Sequence, residues 1–256
     1  MRFQESYREA IAVKLKTYPL ALILFIFLSK TVWAQSNWLV GISGSYAYIN
    51  DQFSTTLDYR AAPGTFLTGF REKIDDKGTV GGVFAGYQFL CRSWLWGIEA
   101  SMDWQDFDHI TPMTIVDIAG ARAWQGTVHH ERGTNVALSG RMGYAVSPYI
   151  MPFIRLGAET SRDQMETTFS GITVNTAAVT QTDRQRQYRL LAGFGFEIPF
   201  PTDFGLSARV EYNFHSQGKR LSTDVLVNDG TYNPSFDNGF FPKIHEFKVG
   251  LVWNFG

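Results

Sequence analysis

Cysteine is almost missing: the 256-residue chain carries one, Cys91, so it has no internal disulfide. Disulfide-stapled secreted domains are thereby excluded, and the lone thiol reads as a free side chain in a short turn rather than a redox centre. Charge is scarce as well. Asp, Glu, Lys and Arg make up 18% of the residues, against about 25% in ordinary soluble domains. The two signs nearly cancel, leaving a net charge of -1, and no basic stripe stands out, so nucleic acid is not an expected partner. Past residue 34 no apolar run is long enough to cross a bilayer as a helix. Any membrane residence must come from strands.

The one long apolar run, Leu20 to Leu28, follows Lys14 and Lys16 and precedes Val32-Trp33-Ala34. Ser29 and Lys30 cut it short of the about 20 residues a spanning helix needs. This pattern predicts a secretory signal over 1–34, cleaved after Ala34, and a mature unit over 35–256.

Aromatic residues are plentiful at 15%, and they recur at the ends of alternating segments. From Lys243 to Phe255, His245, Phe247, Val249, Leu251, Trp253 and Phe255 share one face, while Glu246, Lys248, Gly250 and Asn254 lie on the other. That is the period of two of a strand. The same alternation runs through Trp38 to Asn50, Val80 to Leu90, Trp94 to Phe107, Thr134 to Val146, Tyr149 to Thr160, Tyr188 to Ile198 and Phe204 to His215. Three short connections and four long ones, Asp51 to Gly78, Asp108 to Gly133, Ser161 to Gln187 and Ser216 to Pro242, alternate between these segments. The layout predicts an all-β fold, an eight-stranded antiparallel up-and-down transmembrane β-barrel with its long loops on the outside of the cell.

A soluble lipocalin-like carrier would alternate in the same way, so the decision rests on the second face. Glu99, Asp103, Arg141, Arg155, Glu159, Arg189, Glu197, Arg209, Glu211, Glu246 and Lys248 lie there among Gly, Ala and Ser. A solvent face has no need of so many small residues. An eight-stranded barrel has room inside for side chains only, so long charges must alternate with small residues and pair. The expected pairs are Glu159 with Arg189 and Glu211 with Lys248, with Glu99 relieving Arg141 and Arg155.

The segments GGVFAGYQF at Gly81 to Phe89, WLWGIEASMDW at Trp94 to Trp104, VEYNFHSQG at Val210 to Gly218 and the final strand resemble the small outer-membrane barrels of the OmpA and opacity-protein superfamily. The resemblance implies residence in the bacterial outer membrane, in contact with its lipids and lipopolysaccharide. It also implies that Trp253 and Phe255 form a C-terminal signal read by the barrel-assembly machinery, although Gly256 follows the Phe here. Members of this group serve as envelope structural proteins and adhesins. A non-enzymatic role exerted on an unidentified extracellular partner through the loops is therefore expected, with no cofactor.

A lipid A deacylase-like barrel would carry His and Ser one residue apart on the outside, whereas His215-Ser216 are adjacent and should diverge. His129-His130, with Asp106, Asp108 and His109, could hold a metal, but consecutive histidines rarely reach one ion. Asp75-Asp76 lacks the spacing of a calcium loop. A narrow pore is the third alternative, opposed by a lumen full of side chains. Phe66, Phe70, Trp124, Phe236, Phe240 and Phe241 in the long connections either contact a partner or pack the loops onto one another.

Overall fold

The structure, a computed structural model, describes residues 35–59, 68–106, 108–116, 123–171, 177–201, 204–227 and 234–256. The expected signal segment, 1–34, lies outside them. Among the described residues eleven strands follow in order: β1 (Gln35–Tyr59), β2 (Thr68–Cys91), β3 (Trp94–Asp106), β4 (Asp108–Val116), β5 (Ala123–Tyr144), β6 (Met151–Gly171), β7 (Val179–Pro199), β8 (Leu206–His215), β9 (Leu221–Leu226), β10 (Pro234–Phe240) and β11 (Ile244–Phe255). Eight of them close into a ring in the order β1, β2, β3, β5, β6, β7, β8, β11. Closure comes from β11 pairing β1 from Trp38↔Phe255 to Ile49↔Ile244, which leaves no free edge at this level.

The ring's outer face is the apolar one. Ile42, Ile98, Leu138, Leu156, Leu190, Phe194 and Phe247 are all exposed, a continuous belt far larger than the scattered apolar residues of a soluble surface. Along β7 the belt runs from Ile198 to Tyr188. Ten steps at about 3.3 Å, tilted by about 40°, give a band about 25 Å tall, the height of an outer-membrane barrel's apolar zone. Trp94 and Tyr144 meet edge to face at 5.0 Å near the short-turn end, and Tyr188 marks the other border. Cys91 ends β2, half-buried, just before the turn at Arg92-Ser93. Gly205, in the turn before β8, has φ +67, and a Cβ there would meet the carbonyl oxygen of Asn254. Only glycine suits that close approach at positive φ.

Beyond the band the chain departs from the sequence reading. Strands β5, β6 and β7 are 22, 21 and 21 residues long, about twice the 9 to 11 needed to cross a bilayer. Much of what reads as loop is therefore strand. β4 continues the path of β3 alongside β5, from Asp108↔Glu131 to Val116↔Ala123. β9 and β10 form a hairpin that joins the wall by pairing β10 to β1, from Ser54↔Gly239 to Tyr59↔Pro234. The physical reason is an exchange of faces. On β6 the outward residues pass from Ile154 and Leu156 to Arg162 and Gln164, while the inward ones pass from Arg155 and Glu159 to Met165 and Phe169. On β5 a register shift between Arg132 and Asn135 turns both inward and changes which alternate residues face the interior. Alternation continues in this upper tier, but with polar residues outside.

Candidate functional site: the barrel interior

The inward residues of the lower tier form one connected network. Glu99 on β3 lies 2.9 Å from Nη1 of Arg209 on β8. In the ring these two strands stand four places apart, on opposite walls, so this ion pair spans the lumen. Glu197 receives Arg141 Nη1 at 2.6 Å and Arg209 Nη2 at 3.1 Å, and also accepts from Ser207 Oγ at 2.8 Å. Glu211 lies 3.2 Å from Arg155 and 3.4 Å from Arg209. Arg141 and Arg155 are direct cross-strand partners. Arg141 lies 3.4 Å from Glu99 and donates to Gln88 Oε1 at 2.6 Å, while Arg155 Nε donates to Ser139 Oγ at 2.8 Å. The guanidinium of Arg209 also sits 4.8 Å from the centre of the Phe84 ring. Paired and hydrogen-bonded in this way, buried charge is tolerated.

A second set of pairs lies nearer the long-connection end. Lys248 Nζ bonds Asp103 at 2.9 Å and lies 3.4 Å from Glu246. Glu159 binds Arg132 at 2.9 Å and His215 Nδ1 at 2.7 Å, and Arg189 binds Asp163 at 2.5 Å. His215 Nε2 is 3.3 Å from Glu246, so each ring nitrogen faces a carboxylate, an arrangement in which both serve as donors. The expected pairs are thus corrected. Glu159 and Arg189 are direct partners in register, as are Glu211 and Lys248, yet neither makes an ion pair with the other. The lumen is narrow and the side chains are long, so each reaches along or across the barrel to a partner other than its neighbour. The sequence reading leaves out Arg132 and Asp163, which fall in segments that read as loops, and Gln88, which parity alone places inward. Ser139 and His215 stand on the inward face in that reading, His215 as a satisfied lumen or rim residue, and the structure has both in the lumen.

Above this network the interior is mainly apolar, with Thr55, Thr167, Thr223 and Asn238 buried within it and hydrogen-bonded to one another. Trp124, Met165, Phe169, Leu221, Val225, Phe236 and Phe240 are fully buried in one cluster with Phe53 and Leu57. Phe169 stacks on Phe236 at 4.3 Å, and Trp124 meets Phe236 edge to face at 5.7 Å. Trp124, Phe236 and Phe240 therefore pack the upper tier together instead of presenting a contact surface. Phe241 is exposed, whereas Phe66 and the side chain of Phe70 lie outside the described residues, as do the side chains of Asp75, Asp76, Asp106, Asp108 and His109.

His129 and His130 sit on opposite faces of β5, and His130 points inward against Phe240 at 4.9 Å. Burial lowers the His130 pKa to about 4. The unfolded chain takes up this proton below about pH 6.5, the folded chain only near pH 4. The contribution of neutral His130 is thus present in full above pH 6.5 and lost as pH falls towards 4, by roughly 3 kcal/mol over the window. Amide hydrogen exchange along β5 and β10 should accelerate across that range, and a His130→Phe variant should flatten the response.

His215 faces the lumen, while Ser216 accepts a hydrogen bond from the Leu190 amide at 2.9 Å. They share no face, so they do not form the outward His and Ser pair of a deacylase.

The family model for the outer membrane protein beta-barrel domain matches residues 20–255. The chain belongs to that family. It is a bacterial outer-membrane barrel, in keeping with the resemblance to OmpA and opacity proteins. No curated protein sequence matches it. Among solved structures, the barrel is similar to OprG of Pseudomonas aeruginosa, at 14% identity and a TM-score of 0.42 over 86% of this chain and 96% of that one. It is also similar to the attachment invasion locus protein Ail of Yersinia pestis, at 13% and 0.34 over 85% and 98%. A third is the outer membrane protease OmpT of Escherichia coli, at 8% and 0.34 over 85% and 97%.

Proposed function

We propose that this barrel is a non-enzymatic envelope structural and surface-contact protein, adhesin-like in action, with its long-connection end outside the cell. Short periplasmic turns and long outer connections are the rule in such barrels. The observation that carries the reading is the upper tier. Ten or so residues of each long strand continue past the lipid band, around an apolar cluster built on Trp124, Phe169 and Phe236. Anchoring in the membrane requires none of this. A wall with its own packed core holds the strand tips in fixed positions well clear of the lipid, as a contact platform requires.

The competing readings draw less support. A pore needs an open lumen, and the Glu99 to Arg209 pair crosses it at 2.9 Å.

Replacing the four connecting segments, residues 60–67, 117–122, 172–176 and 228–233, by Gly-Ser linkers of equal length should abolish attachment of expressing cells to host-cell or matrix surfaces. The shift in gel mobility on boiling should stay unchanged. Full attachment by such a variant would sink the contact role, and cleavage of intact cells by external protease at the tips would establish the orientation separately.

A further inference from the structure

One step beyond the lipid band, the outer face of β6 and β7 carries three arginines close together, with Glu131 and Glu166 nearby but in ion pairs with none of them. Val136, Thr160 and Tyr188 make a row across β5, β6 and β7, and below this row Leu138, Leu156 and Leu190 are exposed to lipid. Two residues further on, Arg162 and Arg186 are direct cross-strand partners, and both are exposed. Arg184 follows on the same face, opposite Gln164. Like charges directly opposite on adjacent strands repel.

Among the described residues none of these three guanidiniums makes an ion pair. Arg184 Nε donates to Gln164 Oε1 at 2.6 Å. Asp163, next to Arg162, faces inward and is held by Arg189. The arginines open onto a cleft of about 470 Å³ that Glu131 and Gln164 border, with Gly133 of the β5 bulge leaving part of its lining bare of side chain.

We propose that this cleft binds the phosphate groups of lipopolysaccharide in the leaflet around the barrel. Two residues along a strand are about 7 Å, so the arginines stand just past the apolar border, at headgroup height. Guanidinium groups take phosphate through paired, charge-assisted hydrogen bonds, and one phosphate between Arg162 and Arg186 would remove their mutual repulsion. Inorganic phosphate offers the same charge, but it has no acyl chains to lie on Leu156 and Leu190 directly below. The assignment rests on the long-connection end being outside the cell.

The test uses the full chain refolded in detergent and titrated with bisphosphorylated lipid A. The wild type should bind saturably, and an Arg162→Glu/Arg186→Glu variant should bind at least about tenfold more weakly while keeping its mobility shift on boiling. Arg162→Lys/Arg186→Lys should retain part of the affinity. Equal binding by wild type and charge-reversal variant, or equal binding of dephosphorylated lipid A, would overturn the proposal. Full competition by millimolar inorganic phosphate would overturn the lipid as the source of the phosphate. Binding in detergent does not depend on orientation, so failure of the site and failure of the outward placement are read separately. Protease cleavage of the tips only after the outer membrane is opened would overturn that placement, and with it the lipopolysaccharide assignment.

Discussion

Replacing Arg209 by alanine is expected to lower the unfolding free energy of the barrel by roughly 3 to 5 kcal/mol. Arg209 meets Glu99, Glu197 and Glu211 at 2.9, 3.1 and 3.4 Å, and it is itself buried. Its removal leaves buried carboxylates in the lumen with Arg141 and Arg155 as their remaining cations. The cost comes from the stranded charge more than from the lost bonds, so adding Glu99→Gln to Arg209→Ala should recover part of it. Urea unfolding of the refolded barrel, followed by tryptophan fluorescence, measures both variants. A loss below about 1 kcal/mol would mean that water reaches the carboxylates and that the pairs behave as surface pairs.

Truncating Trp124 to alanine should cost a similar amount, roughly 3 to 5 kcal/mol, but in a different place. Trp124 is fully buried against Phe236 and its neighbours, all beyond the lipid band. The ring below is closed independently by β11 on β1. The variant should therefore keep its gel shift on boiling while β4, the upper half of β5 and the β9–β10 hairpin become open to protease. Loss of the gel shift together with the new cleavage would show instead that the two tiers fold as one cooperative unit.

Within the band the strands were legible because lipid enforces a simple rule. Trp94, Ile98 and Trp104 could be assigned outward, and Glu99 and Asp103 inward, from parity alone. Beyond the band that rule lapses. Water admits Arg162, Gln164 and Glu166 on the outer face of β6, so the apolar stripe that marks a strand moves inside, to Met165 and Phe169. On β5 the apolar residues keep one parity from Trp124 and Val128 to Val136 and Leu138, but the bulge between Arg132 and Asn135 turns the first two inward and the last two outward, a switch the alternation does not reveal. The ion pairs were legible only as register. Glu159 stands beside Arg189, but Arg132 and His215 take its carboxylate, and Arg132 lies in a stretch that parity could not connect to the lumen.

The exchange of faces along the long strands also determines what can travel down the axis of the barrel. Entry from the long-connection end meets first a greasy layer of Trp124, Phe169 and Phe236, and then a layer of fixed charges centred on Arg209. A small ion would be repelled by the first layer for want of hydration, and an oily solute by the second for want of anything apolar to replace the ion pairs it would break. On the non-pore reading proposed above, the two barriers stand in series and reject opposite chemistries, so the interior would act as insulation for which no single class of solute is suited.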